Sequence, residues 1–110
     1  MVVDDEEFCL SSMKAIISKA GIDVKSQIDL CITGKEAVTQ LKKATQEGLS
    51  YRLILTDFSM PELDGIQATK QMREYLHSMG IHNSDQPTII GITGHSDEWF
   101  IALGIEAGMN

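Results

Sequence analysis

The chain has 110 residues, a length that fits one domain. Hydrophobic residues make up 43% of it, which excludes a disordered tail. Nine Lys and Arg stand against 16 Asp and Glu, a net charge of −7 with no basic run, and this excludes nucleic-acid binding by this stretch.

In chain order, Val2-Val3 is a short apolar run that stops at Asp4-Asp5. From Glu6 to Ala20, the residues Cys9, Met13, Ile16, Ile17 and Ala20 recur at helical spacing, and Gly21 supplies a stop. Ile22 to Leu30 alternates loosely and predicts a strand. Thr33 followed by Glu36 has capping-box spacing, opening a helix whose inner face is Ala37, Val38, Leu41 and Ala44, ended by Gly48. Leu53-Ile54-Leu55 predicts a buried strand running into Asp57. Past Met60-Pro61, a helix face is traced by Ile66, Thr69, Met72, Leu76 and Met79, up to Gly80. Ile81 to Gln86 reads as a polar loop, and Thr88 to Ile92 as a β-branched strand. Ser96 is placed to cap a last helix carrying Phe100, Ile101 and Leu103, with Asp97 and Glu98 in its first turn. Methionines at helical spacing, and Phe8, are expected to fill the core. This β-α alternation predicts a doubly wound α/β fold, a parallel sheet with helices on both faces and right-handed crossovers.

Cys9 and Cys31 are two cysteines in apolar surroundings, too few for a disulfide framework or a zinc site, and are expected to be buried thiols in a reducing compartment. No apolar run is long enough to span a bilayer, so this stretch is expected to make no membrane contact and to reside in the cytoplasm.

Three of the apolar runs end in Asp4-Asp5, Asp57 and Thr93. In an open parallel sheet the site lies outside the carboxyl ends of the strands. A single strand-end Asp is most simply a helix cap. Three carboxylates at neighbouring strand ends repel one another unless a cation lies between them. A hard divalent ion with oxygen ligands answers that need, and Mg²⁺ suits a small site with few protein ligands and several waters.

Three blocks then carry a resemblance: Val2-Val3-Asp4-Asp5-Glu6, Leu53 through Gly65 (including Asp57-Phe58-Ser59-Met60-Pro61), and Ile89-Ile90-Gly91-Ile92-Thr93-Gly94. In this order they are similar to the signature blocks of response-regulator receiver domains, phosphoacceptors of two-component phosphorelays with a flavodoxin-like (βα)5 fold. The similarity covers essentially the whole chain. Thr33-Gly34-Lys35-Glu36-Ala37 and Ala107-Gly108-Met109-Asn110 also resemble stretches of the family. The resemblance implies Asp57 as phosphoacceptor, Asp5 as a direct Mg²⁺ ligand, Asp4 as a ligand through water, the backbone carbonyl of Ser59 as a further ligand, and Thr93 as the switch hydroxyl. It implies a histidine kinase or a histidine phosphotransfer protein as donor. The long loop before the fourth strand is similar to receivers attached to hybrid kinases, and His95 holds a position that tunes dephosphorylation in the family.

Competing readings fit less well. Haloacid-dehalogenase-type phosphatases need a second Asp where this chain has Ser59. Gly34-Lys35-Glu36 is not a Walker A loop, and consecutive His95-Ser96-Asp97 cannot adopt triad geometry. His77 and His82 are expected on a solvated helix end and loop.

Residues 1–110 are therefore expected to form one receiver domain with strand order 2-1-3-4. Its first strand looks clipped, and its end at Asn110 lies just before the family's fifth strand and helix, with their Lys and aromatic switch residue. On this basis a non-switching binding or scaffolding fragment is the alternative, and the Thr88–Ile92 edge is expected to invite self-association.

Overall fold

The computed structural model describes residues 1–58, 60, 62–92 and 98–110. Its elements are β1 (Val2–Val3), α1 (Glu7–Lys19), α2 (Val24–Gln27), β2 (Leu30–Cys31), α3 (Gly34–Gln46), β3 (Leu53–Asp57), α4 (Gly65–Ser78), a 3-10 turn (Asn83–Asp85), β4 (Thr88–Ile92) and α5 (Glu98–Ala107). The four strands are all parallel in the order β2-β1-β3-β4. This is the flavodoxin-like order expected from the sequence. Val2 lies opposite both Leu30 and Leu55, and Leu53–Asp57 runs in register with Thr88–Ile92.

Burial alternates along the two longer strands, as it must when one face is packed more fully than the other. Ile54, Thr56 and Ile89 are fully buried, whereas Leu53, Ile90 and Ile92 are about two-fifths exposed. Ile54 and Ile89 belong to one core with Ala37, Val38 and Leu41 of α3 and Ala68, Met72 and Leu76 of α4. Each large apolar side chain buried there is worth about 1.5–3 kcal/mol relative to exposure. On the opposite side, Leu53 and Leu55 line a cavity of about 120 Å³ together with Ile17, Ile22 and Ile28.

The capping signal read at Thr33 acts as the sequence indicates, and Asp64, which the sequence reading did not single out, caps α4 in the same way. The Thr33 hydroxyl accepts from Glu36 N at 3.0 Å, and Asp64 Oδ1 accepts from Gln67 N at 2.8 Å. Gly21, Gly48 and Gly80 carry positive φ at the helix ends predicted for them.

Four expectations are corrected. The Ile22–Leu30 strand is instead the short helix α2, and only Leu30–Cys31 pairs with β1. Asp23 explains this: its carboxylate accepts from Lys25 N at 3.1 Å and from the Ser26 hydroxyl at 2.7 Å, a local cap that outcompetes the ladder. The inner stripe of α1 is Leu10, Met13 and Ile17, so Ile16 and Ala20 face outward, and Phe8 is 80% exposed rather than core filler. Met79 is likewise half-exposed. Cys31 is buried as expected, but Cys9 is only partly so. His77 and His82 are exposed, as the sequence implied. The outer edge of β4 is occupied at one position: Asn110 N donates to Ile89 O, and Ile89 N donates to Asn110 Oδ1, both at 2.8 Å.

Candidate metal centre and phosphoacceptor site

The ends of β1 and β3 are adjacent because Val3 pairs with Thr56. That register brings Asp4, Asp5 and Asp57 together, each offering a carboxylate oxygen within 4.8 Å of the others. Asp4 and Asp57 are partly buried and Asp5 is exposed. The backbone around each is pinned. Asp4 N donates to Cys31 O at 3.0 Å, which ties the acidic pair to β2. Asp4 Oδ1 accepts from Glu6 N at 3.0 Å, so one of its oxygens already caps the turn into α1. Past Asp57, Phe58 N donates to Ile92 O at 3.3 Å, and Phe58 O accepts from Gly65 N at 3.0 Å. Gly65 permits this approach, because a Cβ there would collide with the Asp57 carbonyl. Between them, Glu62 holds φ at 68°, a left-handed conformation uncommon for a non-glycine residue.

Three like charges this close raise the energy of the folded chain unless positive charge lies among them. The donor set is all carboxylate oxygen, with Asp5 exposed to solvent, which fits a small hard cation that keeps several waters. Thus the structure assembles three of the residues singled out from sequence. Ser59, Thr93 and His95, together with Ser96 and Asp97, lie outside the described residues. The acidic triad is the one group of three or more metal-ligating side chains found among the described residues.

The model of the response regulator receiver domain family matches residues 1–110, the whole chain. The chain belongs to that family. This receiver is 30% identical over 110 residues to the osmosensing histidine protein kinase SLN1 of Saccharomyces cerevisiae, spanning 100% of the chain but 8% of that kinase. The crystal structure of the receiver domain of the Arabidopsis thaliana histidine kinase CKI1, complexed with Mg²⁺, superposes with a TM-score of 0.81 at 30% identity, covering 98% of this chain and 76% of that one. The receiver domain of Ssk1, co-crystallised with the Saccharomyces cerevisiae histidine phosphotransfer protein Ypd1, gives 0.79 at 26% identity, covering 99% and 72%. Among the described residues, no helix of this receiver is long and apolar enough to cross a membrane.

Two features escaped the sequence reading. Arg73 of α4 makes four hydrogen bonds: to Gly108 O at 2.9 Å, Gln86 Oε1 at 2.9 Å, Pro87 O at 3.0 Å and Asn110 Oδ1 at 3.0 Å. It sits on the outward-leaning side of the α4 stripe, where a charged residue reads as solvated. The ring of Phe58 is also buried, and nothing in a lone aromatic after an Asp announces what it packs against.

Proposed function

We propose that Asp57 is the phosphoacceptor of a two-component phosphorelay, charged from a phosphohistidine on a histidine kinase or a histidine phosphotransfer protein. The observation that carries this is the convergence of Asp4, Asp5 and Asp57 at the strand ends. A carboxylate oxygen of Asp57 attacks phosphorus, the P–N bond of the donor breaks, and the electron pair leaves on the imidazole nitrogen, which takes up a proton. Water attacking the acyl phosphate later returns the free carboxylate and inorganic phosphate. The chain thus promotes its own phosphorylation and dephosphorylation rather than turning over a separate substrate.

Asp5 is the direct metal ligand in this reading, since it is exposed, whereas Asp4 spends one oxygen on Glu6 N and reaches the ion through water. The Ser59 carbonyl completes the protein ligands and Thr93 is the switch hydroxyl; both roles rest on the family resemblance. When bound, Mg²⁺ supplies positive charge that offsets carboxylate–phosphoryl repulsion. The chain is one receiver domain acting on the cytoplasmic side.

The test is incubation with acetyl phosphate, with and without Mg²⁺, followed by mapping of the added mass. Labelling is expected at Asp57 alone and only with Mg²⁺. Modification elsewhere, or undiminished labelling of Asp57→Asn, refutes the assignment.

A further inference from the structure

We propose that the side chain of Phe58 is the mechanical link that carries a change at Asp57 into helix α5. This rests on the reading of Asp57 as the acceptor and concerns what happens after the phosphoryl group arrives.

Phe58 directly follows Asp57 and is 5% exposed. Its backbone touches two elements, donating to Ile92 of β4 and accepting from Gly65 at the start of α4. Its ring reaches the third. A Cβ on Gly91 of β4 would collide with the ring edge and stand 2.8 Å from Met109 Sδ. A Cβ on Gly104 of α5 would stand 3.0 Å from Phe58 Cε1 and 2.9 Å from the same sulfur. The ring therefore fills a slot with glycines on two different elements and Met109 beside both.

These glycines are not there for backbone freedom. Among the described residues the glycines with positive φ are Gly21, Gly48, Gly80 and Gly108, not Gly91 or Gly104. Glycine inside a helix costs about 1 kcal/mol relative to alanine, and inside a strand it also weakens the element. What Gly91 and Gly104 supply is room for one ring. In a close-packed interior such a ring cannot move without moving its neighbours. A charge gained at Asp57 displaces the adjoining residue, and the slot passes that displacement to α5.

Trp99 is the single tryptophan of the chain and lies in the first turn of α5, 62% exposed, so its emission reports on that helix. The experiment treats the whole chain with Mg²⁺ and acetyl phosphate, quantifying Asp57 labelling by mass and the Trp99 emission change in the same samples. Two variants are compared, Phe58→Leu, which removes the ring, and Gly104→Ala, which fills the slot from the α5 side. Both are expected to keep Asp57 labelling within about twofold of wild type while the Trp99 change falls by about threefold or more. Should Phe58→Leu fail to melt cooperatively, Gly104→Ala carries the comparison, since its added methyl would meet only side chains, the flexible Met109 Sδ at 2.9 Å and the Phe58 ring edge at 3.0 Å, and no backbone. A folded variant that is labelled and still gives the full Trp99 change overturns the link, as does a labelled wild type whose Trp99 is silent. A wild type that is not labelled refutes the phosphoacceptor reading instead.

Discussion

Replacing Asp57 with Asn should stabilise the fold when no divalent cation is present, and the geometry sets the size of the effect. The three carboxylates approach within 4.8 Å, and two of the three repulsive pairs end at Asp57. At that distance each pair costs about 0.9 kcal/mol at the dielectric constant of water, so Asp57→Asn relieves about 1.7 kcal/mol before screening. Physiological salt, with a screening length of about 8 Å, roughly halves this. Partial burial of Asp4 and Asp57 acts in the opposite direction, which leaves about 1–2 kcal/mol. For a chain of this size that is a rise in Tm of roughly 4–8 °C or more. Mg²⁺ should close the gap. At tenfold over its Kd, an ion bound only by the folded wild type adds about 1.4 kcal/mol, and the Asn variant, with one carboxylate fewer, gains less. The assay is thermal unfolding of both proteins in chelator and across a Mg²⁺ titration. If Asp57→Asn melts at or below wild type in chelator, the carboxylates do not repel as their spacing requires, and the account of the site fails.

Other consequences follow from the same arrangement of side chains. Asp5→Ala should weaken Mg²⁺ binding more than Asp4→Ala, as read by Mg²⁺ titration of each; equal losses, or a larger one at Asp4, would reverse their roles. Arg73→Met leaves four acceptors without their cation and should cost about 2–4 kcal/mol by chemical denaturation, with Arg73→Lys recovering only part because an ammonium cannot serve all four; a loss under about 1 kcal/mol would show the clamp to be ornamental. Burial, with Glu36 and Asp29 nearby, pushes the Cys31 thiol up to about 12. Its contribution to stability is therefore full below the ordinary thiol range and is lost as pH rises towards 12, because the unfolded chain ionises first; Cys31→Ala should flatten that alkaline decline in a pH series of melts, and an unchanged slope would rule Cys31 out as its source. Leu53, Ile90 and Ile92 are exposed on one face of the sheet, so the 110-residue polypeptide on its own should self-associate in sedimentation experiments, with Ile90→Lys shifting it to monomer; a monomer throughout the micromolar range would refute this.

Strand order and the convergence of Asp4, Asp5 and Asp57 were readable because both depend on features that sequence displays directly. Leu53-Ile54-Leu55 and Thr88–Ile92 are short apolar runs of strand length, and the acidic residues stand at the ends of Val2–Val3 and of the run through Leu55. Helix limits were readable from Thr33, Gly21, Gly48 and Gly80, whose chemistry acts within a few residues. What misled was periodicity without length. Ile22, Val24, Ile28 and Leu30 fit a period of two, yet Asp23 closes a helical turn through Lys25 and Ser26, and a period count is blind to such a cap. On α1, several apolar residues permit more than one stripe, and only the position of the sheet selects Leu10, Met13 and Ile17 over Ile16 and Ala20. The Phe58 slot was unreadable for a different reason: its parts come from residues 58, 91, 104 and 109, brought together by the fold alone.

The two ends of the sheet are built on opposite principles, and this bears on how the molecule works. At the amino ends of the strands polar groups are matched. Tyr51 OH donates to Asp29, Gln40 bonds the same hydroxyl at 3.2 Å, and Arg73 ties α4 to the entry of β4 and the end of α5. At the carboxyl ends three carboxylates are held together at a cost in stability. A site meant only to be stable would not be arranged so. Under the proposed function, a charge added at Asp57 would act on residues whose far ends are fixed. Helix α5 shows the consequence most directly. Gly108, at its carboxyl end, is held by Arg73, while Gly104 rests on the Phe58 ring one residue from Asp57. If Phe58 is the link proposed above, a displacement entering there should be expressed as a tilt of α5 about its Arg73 anchor, not as a translation of the whole helix.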